Sequence, residues 1–317
     1  MTLLAGLDIG GTRIGVCLGR KNGAVIASQS FPTPQAQAPS ATLSQCVLIL
    51  RELQERHARG ETLHAIGAAV PGPFDPKSGS FGDVPNMPRW HGFDFRTQLT
   101  ELAGCPVFAR NDANASMLAE ALWGSAQDVS NAIFLTFSTG FGAGLWLDGR
   151  LYEGPRGLAG EIGHLRLSEA GPVGFGKCGS VEAWLSGPGI VQQAELEALC
   201  AKQRGEETKL SEPHLRTEFV FEVARLGDVA ALRVIQQVAK KLGQTIAILA
   251  DLFDPELVIL GTIGIAHYDL LEAETRRVLH EEALELTARG LRIQPSQLQL
   301  REHRAALASA ASEVQPT

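Results

Sequence analysis

Within five residues, Asp8-Ile9-Gly10-Gly11-Thr12 brings together a carboxylate, two residues without a Cβ and a hydroxyl. Glycine lets a turn adopt positive φ and lets a phosphate approach the backbone amides. Asp8 stands beside that turn, where a phosphate-bound metal would sit, and Thr12 adds a hydroxyl donor. The pentapeptide separates the apolar run Leu3–Leu7 from a second run, Arg13–Gly19, so it reads as a strand, a tight turn and a returning strand. A Walker loop requires Gly-Lys-Ser/Thr opening a helix, and a Rossmann fingerprint requires GxGxxG between strand and helix. This turn meets neither requirement. A hairpin turn that grips phosphate points to an ATP-using enzyme of another design, although an ordinary β-turn has the same composition.

The arrangement occurs a second time. Phe134–Phe137 is mainly apolar, Ser138-Thr139-Gly140-Phe141-Gly142-Ala143-Gly144 is a glycine-rich turn, and Leu145–Leu147 resumes the strand. Asp148-Gly149 then signals a hairpin, as Asn22-Gly23 does after the first copy. Repetition of such a unit about half a chain apart is hard to attribute to composition. Two phosphate loops facing each other across a cleft would hold a nucleotide and its transferable group, which is the plan of a phosphotransferase.

Other side chains could supply the rest of that chemistry. Asp112 follows the strand Pro106–Ala109 and precedes the helix Ala115–Trp123. It therefore lies at a strand's C-terminal end, where α/β folds place ligands. A helix N-terminus favours the ionised carboxylate that a base needs to accept a hydroxyl proton. Capping that helix is the commoner task for an Asp in this position, and the local sequence favours it. Glu161-Ile162-Gly163-His164 lies in a glycine-rich stretch, with Glu182 soon after. Two carboxylates and an imidazole could hydrogen-bond several adjacent sugar hydroxyls, or could be solvated loop polars.

The elements that must position these residues alternate between strand and helix. A strand-rich opening runs to about Phe31, followed by the connector Pro32–Pro39 and a helix over Ala41–Arg59. His64–Val70 reads as a strand ending at Pro71-Gly72-Pro73. Arg216–Leu226 and Ala230–Leu252 read as a helical pair, Pro255–Gly261 as a strand, Leu270–Leu286 and Arg304–Ala311 as helices, and Ser312–Thr317 as a frayed end. Such alternation indicates α/β layers. At 317 residues two domains are expected, and 44% hydrophobic residues are ample for two cores. A net charge of −7 argues against nucleic acid as a partner. The first residues lack a secretory pattern, no apolar run reaches membrane-spanning length, and the five scattered cysteines suit reduced thiols, so a cytoplasmic protein is expected.

Nearly the whole chain resembles the ROK family, named for repressors, open reading frames and kinases. The resemblance is carried, in the family's order and spacing, by Leu7–Thr12, Val70–Pro73, Pro85-Asn86-Met87-Pro88-Arg89-Trp90 and Asn111–Asn114. It continues through Thr139–Gly144, Gly157–His164, Glu182–Gly189 and Asp254–Gly261. It implies an actin/hexokinase-like (ribonuclease H-like) ATPase fold, with two domains and a duplicated core around a central cleft. The small domain would span 1–115, completed by a C-terminal helix at 300–312, and the large one 116–299. The implied activity is glucokinase-like: ATP- and Mg²⁺-dependent phosphorylation of a hexose or N-acetylhexosamine, by in-line transfer. By position, Asp112 would be the catalytic base. Asn111, Glu161, His164 and Glu182 would bind the sugar, with Gly72 and Asn86 lining the same pocket. Asp8, Gly10, Gly11 and Thr12 would form the first phosphate loop and Thr139, Gly140 and Gly142 the second, with Gly261 and Thr262 near the nucleoside. Thr262 stands where the family often has a second glycine. The partners implied are sugar and nucleotide, without nucleic acid or membrane, in a homodimer.

The chain departs from the family in one loop. Many members carry a structural zinc held by a His and three cysteines. Here Val173, Phe175 and Ser180 occupy the cysteine positions, Cys178 is out of register, and only His164 remains. One ligand cannot build a closed tetrahedral site, so zinc is expected to be absent. Val173 and Phe175 are apolar enough to pack the loop instead, and the remaining imidazole nitrogen should find a partner near Val173–Ser180. The competing reading is a sugar-sensing regulator of the same family that binds sugar without significant turnover. Its repressors carry a helix-turn-helix domain before the first glycine loop, which here begins at residue 8, so the kinase reading is preferred.

Overall fold

The computed structural model describes residues 2–84 and 86–315; Met1, Pro85, Pro316 and Thr317 lie outside the described residues. β1 (Leu3–Ile9) and β2 (Arg13–Arg20) form the hairpin around the first glycine turn, with Asp8 opposite Gly15. β3 (Val25–Pro32) extends the antiparallel ladder beyond β2. α1 (Pro39–His57) crosses over to β4 (Leu63–Val70), which lies parallel to β1. A small ribbon, β5 (Phe74–Asp75) with β6 (Ser80–Phe81), precedes α2 (Phe95–Ala103). β7 (Val107–Asn111) then pairs parallel with β4 and runs directly into α3 (Asp112–Trp123). The strand order is β3-β2-β1-β4-β7. Alternate residues of β1 enter different clusters: Leu3, Ala5, Leu7 and Ile9 pack with Leu43, Leu50 and Phe95 of the two crossover helices, whereas Leu4 joins Cys17 and Ala65. That period of two is what a sheet covered on both faces requires.

β8 (Ala132–Phe137), β9 (Phe141–Leu147) and β10 (Arg150–Leu151) repeat the opening pattern, and Asp148 and Gly149 between the last two have φ of 52° and 71°. A hairpin of β11 (Val173–Gly174) and β12 (Lys177–Cys178) leads into α4 (Val181–Leu185) and α5 (Gly187–Gln203). α6 (Thr217–Arg225) and the long α7 (Val229–Phe253) follow, the latter capped by Asp228, which accepts from the Ala231 amide at 3.0 Å. β13 (Leu257–Leu260) lies parallel to β8, and α8 (Thr262–Glu282) packs beside α7, where the Thr275 hydroxyl donates to the Ala239 carbonyl at 3.2 Å. α9 (Glu285–Gly290) and β14 (Arg292–Pro295), parallel to β13, complete this part. The order β10-β9-β8-β13-β14 reproduces the connectivity of the first sheet. The duplication expected from two glycine turns thus extends to all five strands of each sheet.

The last helix, α10 (Arg301–Ala311), returns to the first sheet. Leu307 and Ala310 join the cluster of Leu4, Cys17 and Ala65, while Ala305 and Ala306 pack on Ala69 and Ala115. The approach is so close that a Cβ on Gly67 would lie 2.0 Å from the Ala306 carbonyl oxygen. Contacts divide the chain into two units. The first comprises the described residues of Met1–Ser130, Gly144–Ala159 and Gln297–Thr317, and the second Asn131–Ala143 with Gly160–Ser296. Residue 115, the boundary read from the sequence, lies inside α3. Leu118 and Ala119 of that helix pack on Ala308 of α10, which carries the first unit on to Ser130. The helix expected over Leu270–Leu286 instead starts at Thr262, kinks at His267 (φ −134°, ψ 22°) and stops at Glu282. Among the described residues no helix is long and apolar enough to cross a membrane.

Candidate active site

In the first unit the C-terminal ends of three neighbouring parallel strands converge. Asp8 is in register with Ala69, and Val70 with Asn111, so Asp8, Pro71-Gly72 and Asn111-Asp112 leave the sheet at one edge. The turn after β1 is pinned from outside. Gly10 donates to the Arg13 carbonyl at 3.0 Å, Thr33 Oγ1 donates to the Gly10 carbonyl at 2.5 Å, and Gln35 Nε2 donates to the Gly11 carbonyl. The carbonyls are therefore spoken for, while the amides of Gly11 and Thr12 donate to nothing among the described residues. Neither Gly10 nor Gly11 has positive φ, contrary to the reason read from the sequence. Space is what they supply: a Cβ on Gly10 would lie 2.9 Å from the Arg13 carbonyl oxygen, and one on Gly11 3.0 Å from Cβ of Asn86. Asn86 is exposed beside this turn.

Asp112 is the first residue of α3, and its Oδ1 accepts the Ala113 amide at 2.8 Å. The cap, however, is Asn111, whose Oδ1 accepts the Asn114 amide at 2.8 Å. The capping role that the sequence offered to Asp112 belongs to its neighbour. Asp8 is partly buried, and that burial, with Glu302 and then Asp112, pushes its carboxyl up to about 7 against the pull of Arg301 and Arg13. A carboxylate held up in this way next to a second one is an electrostatic fit for a cation.

The second unit shows the same device. β8 and β13 are parallel neighbours, so Ser138–Gly140 and Gly261-Thr262 leave the sheet at one edge. The turn after β8 is braced by Ser138 donating to the Gly140 carbonyl at 3.1 Å, Gly142 donating to Thr136 Oγ1 at 2.9 Å and Gly187 donating to the Ser138 carbonyl at 2.7 Å. The amides of Thr139 and Gly140 are again unspent among the described residues, and Thr139 is exposed. The glycines here also lack positive φ. Gly261 donates to the Leu135 carbonyl at 2.9 Å and caps α8, leaving Thr262 as that helix's first residue.

Glu161, His164 and Glu182 are brought together beside this turn. His164 Nε2 lies 3.7 Å from Glu161 Oε2, and Glu182 Oε2 accepts the Phe141 amide at 3.2 Å. A Cβ on Gly140 would lie 3.1 Å from that same carboxylate oxygen. Partial burial raises the Glu161 carboxyl above its ordinary value, His164 opposes that, and Glu182 adds to it. One carboxylate thus reaches both Glu161 and the glycine turn.

The loop that lacks the cysteines is held by hydrogen bonds rather than by a packed interior. Val173 and Phe175 remain 50% and 49% exposed, which corrects the expectation that they are enclosed. Val173 exchanges both backbone hydrogen bonds with the Gln192 carboxamide at 2.9 Å, Lys177 Nζ donates to the His164 carbonyl at 2.7 Å, and Gly179 donates to the Pro172 carbonyl at 2.9 Å. Phe175 and Gly176 turn the hairpin with φ of 47° and 70°. The imidazole of His164 meets the edge of Phe175 at 4.9 Å and reaches Glu161, not a polar group of Val173–Ser180. Among the described residues no three His, Cys, Asp or Glu side chains are grouped to hold a metal.

A model of the ROK family matches residues 4–311. The chain belongs to the ROK family. Among ROK relatives, an N-acetylmannosamine kinase of Escherichia fergusonii is 32% identical, over 87% of this chain and 88% of its own length. A ROK glucokinase from Streptomyces griseus, solved in complex with glucose and AMPPNP, is 26% identical with a TM-score of 0.76 over 98% of both chains. A ROK family transcriptional regulator, a homologue of the E. coli MLC protein, is 25% identical with a TM-score of 0.85. It is matched over 98% of this chain and 78% of its own. The fold is accordingly the actin/hexokinase-like ATPase fold of ROK proteins, with its core duplicated.

Three features of these ROK half-sites escape a reading of the sequence. Thr33 and Gln35 anchor the first turn from the connector, and Glu302 and Arg301, in opposite directions, modify the effect of burial on Asp8 from almost 300 residues away. Glu182 braces the second turn. Thr33, Gln35, Arg301 and Glu302 lie in no stretch that carries the resemblance, and their only signal was the charged start of the last helix; Glu182 lies in such a stretch, and only its contact with the turn went unread.

Proposed function

We propose that this ROK protein is an ATP-dependent sugar kinase acting on a hexose or N-acetylhexosamine. The observation that carries the reading is the pair of glycine turns, one in each unit, each at a strand's C-terminal edge with two amides left for an anion. The kinase relatives support it. In this reading the amides of Gly11, Thr12, Thr139 and Gly140 take the phosphate oxygens, and Gly261-Thr262 lie by the nucleoside. Glu161, His164, Glu182 and Asn111 accept from and donate to sugar hydroxyls, with Gly72 and Asn86 alongside. Asp112 takes the proton from the attacking hydroxyl as its oxygen bonds to the γ-phosphorus and the bond to the ADP oxygen breaks. Asn111 suits its role because capping occupies Oδ1 and leaves Nδ2 to donate.

Asp8, beside Asp112, would hold Mg²⁺, which when bound neutralises phosphate charge. The proposal includes a cytoplasmic homodimer on the strength of the resemblance. A panel of hexoses and N-acetylhexosamines with ATP, read by coupled assay, tests it: at least one should be turned over with Mg²⁺. The high structural similarity to a regulator favours a second reading, a sugar sensor. Sugar binding by calorimetry with no turnover of any bound sugar would select it.

A further inference from the structure

The hairpin of β11 and β12 is closed by two residues, Phe175 and Gly176, both with positive φ (47° and 70°), between the paired Gly174 and Lys177. A two-residue turn with positive φ at both positions favours Asn-Gly. A bulky aromatic in the left-handed region is an outlier. Burial does not compensate, because about half of Phe175 stays exposed. An outlier that neither the turn nor the core requires directs attention to what its side chain touches. That is His164: the two rings lie 4.9 Å apart with their planes at 88°, the edge-to-face arrangement that aromatic pairs favour.

Glu161 does not fix this imidazole. Its Oε2 lies 3.7 Å from His164 Nε2, beyond hydrogen-bond length, and the ring makes no hydrogen bond among the described residues. The hairpin also holds the backbone beneath the ring, since Lys177 Nζ donates to the His164 carbonyl at 2.7 Å. Gln192 of α5 anchors the hairpin in turn through Val173. One hairpin thus grips His164 at both its backbone and its ring, and all these residues belong to the second unit.

We propose that Phe175 is a positioning residue for sugar recognition: its ring holds the His164 imidazole with Nε2 towards Glu161, and the tip of the hairpin sets sugar affinity through that imidazole. The proposal rests on the reading of His164 as a sugar ligand. A neutral imidazole has one donor and one acceptor nitrogen, so a ring free to turn over presents the wrong one part of the time. A ring already held spares the bound state the entropy of fixing it.

Calorimetric titration of the whole chain with glucose, mannose, N-acetylglucosamine and N-acetylmannosamine in turn tests this. Phe175→Gly and Phe175→Asn should bind each sugar that wild type binds about two- to tenfold more weakly, and Phe175→Tyr should restore the affinity. Both weakened variants should melt no lower than wild type, since each suits the turn better than Phe does. Where turnover is measured, the KM for the sugar should rise by a similar factor, with kcat and the KM for ATP nearly unchanged. The imidazole proton resonances of His164, identified by their absence from His164→Gln, should lose the ring-current shift of Phe175 in both weakened variants and keep it in Phe175→Tyr. Wild-type affinity in Phe175→Gly and Phe175→Asn would overturn the proposal and leave His164 a sugar ligand. Weakened binding with unshifted His164 resonances would overturn it too, as would variants that melt lower or fail to fold, which would assign the ring to the fold. Binding of none of the four sugars by wild type would overturn it together with the reading on which it rests.

Discussion

Asp112 and Asp8 are both carboxylates at one edge of one sheet, yet their surroundings give them different work. Asn111 takes over the helix cap, so Asp112→Asn should fold normally and retain sugar affinity while turnover falls by about 10²–10⁴-fold. Undiminished turnover would remove Asp112 from the chemistry, and an unfolded variant would return it to a structural role. Asp8 offers a pH signature. Its folded carboxyl titrates near 7 and an unfolded Asp near 3.8, so between those values the native state keeps a proton that the unfolded chain has lost. Raising the pH through that window removes stability, and above it the penalty is constant. Asp8→Asn should thus melt higher than wild type at pH 8 without Mg²⁺, by an amount of the order of 5 °C, and the gap should close towards pH 4. A gap independent of pH would show that Asp8 is not the strained group. The sequence made both residues visible, because Asp in a glycine turn and Asp at a strand-to-helix junction are local patterns. It could not show that burial, with Glu302 added and Arg301 opposed, holds the Asp8 carboxyl up, since that depends on how α10 packs on the first sheet.

At the scale of elements, the hairpin around each glycine turn was legible from apolar runs and turn residues, and the long amphipathic α7 from its period. α5 was not, because Gly187-Pro188-Gly189 looks like a breaker until Ser186 is seen capping it through the Gly189 amide at 3.2 Å. The reason for the turn glycines also changed, from backbone freedom to space, and with it the expected effect of substitution. Gly11→Val should raise the KM for ATP or abolish activity, with a smaller loss of sugar affinity, because its side chain would press on Asn86 at the edge of the proposed pocket and not on a carboxylate. Gly140→Val should harm both, since its side chain would press on the Glu182 carboxylate. Calorimetry with sugar alone separates them, and equal sugar affinity in the two variants would refute the shared-carboxylate link. The hairpin at Val173–Cys178 carries a third expectation. Held by Gln192, Lys177 and Gly179, it has no need of a metal. A strong zinc chelator, followed by restoration of Mg²⁺, should leave melting temperature and activity unchanged; one zinc per chain by elemental analysis would contradict this.

For the whole molecule, the decisive contact is that of α10 on the first sheet. The sequence placed a small-residue helix near 304–311 but gave no measure of how closely it seats. Gly67→Ala would drive a Cβ into the Ala306 carbonyl, and overpacking of this kind costs about 1–3 kcal/mol. Urea unfolding should register that loss, together with reduced activity as Arg301 and Glu302 shift relative to Asp8. An unchanged midpoint would mean the helix rides higher than described. The same contact has a consequence for biosynthesis. A ribosome delivers residues in order, so every segment of the second unit has been made before α10 emerges to cover Leu4, Cys17 and Ala65. The half of the protein that is translated first is therefore the half that is finished last, and until then one face of its sheet is a natural client for a chaperone.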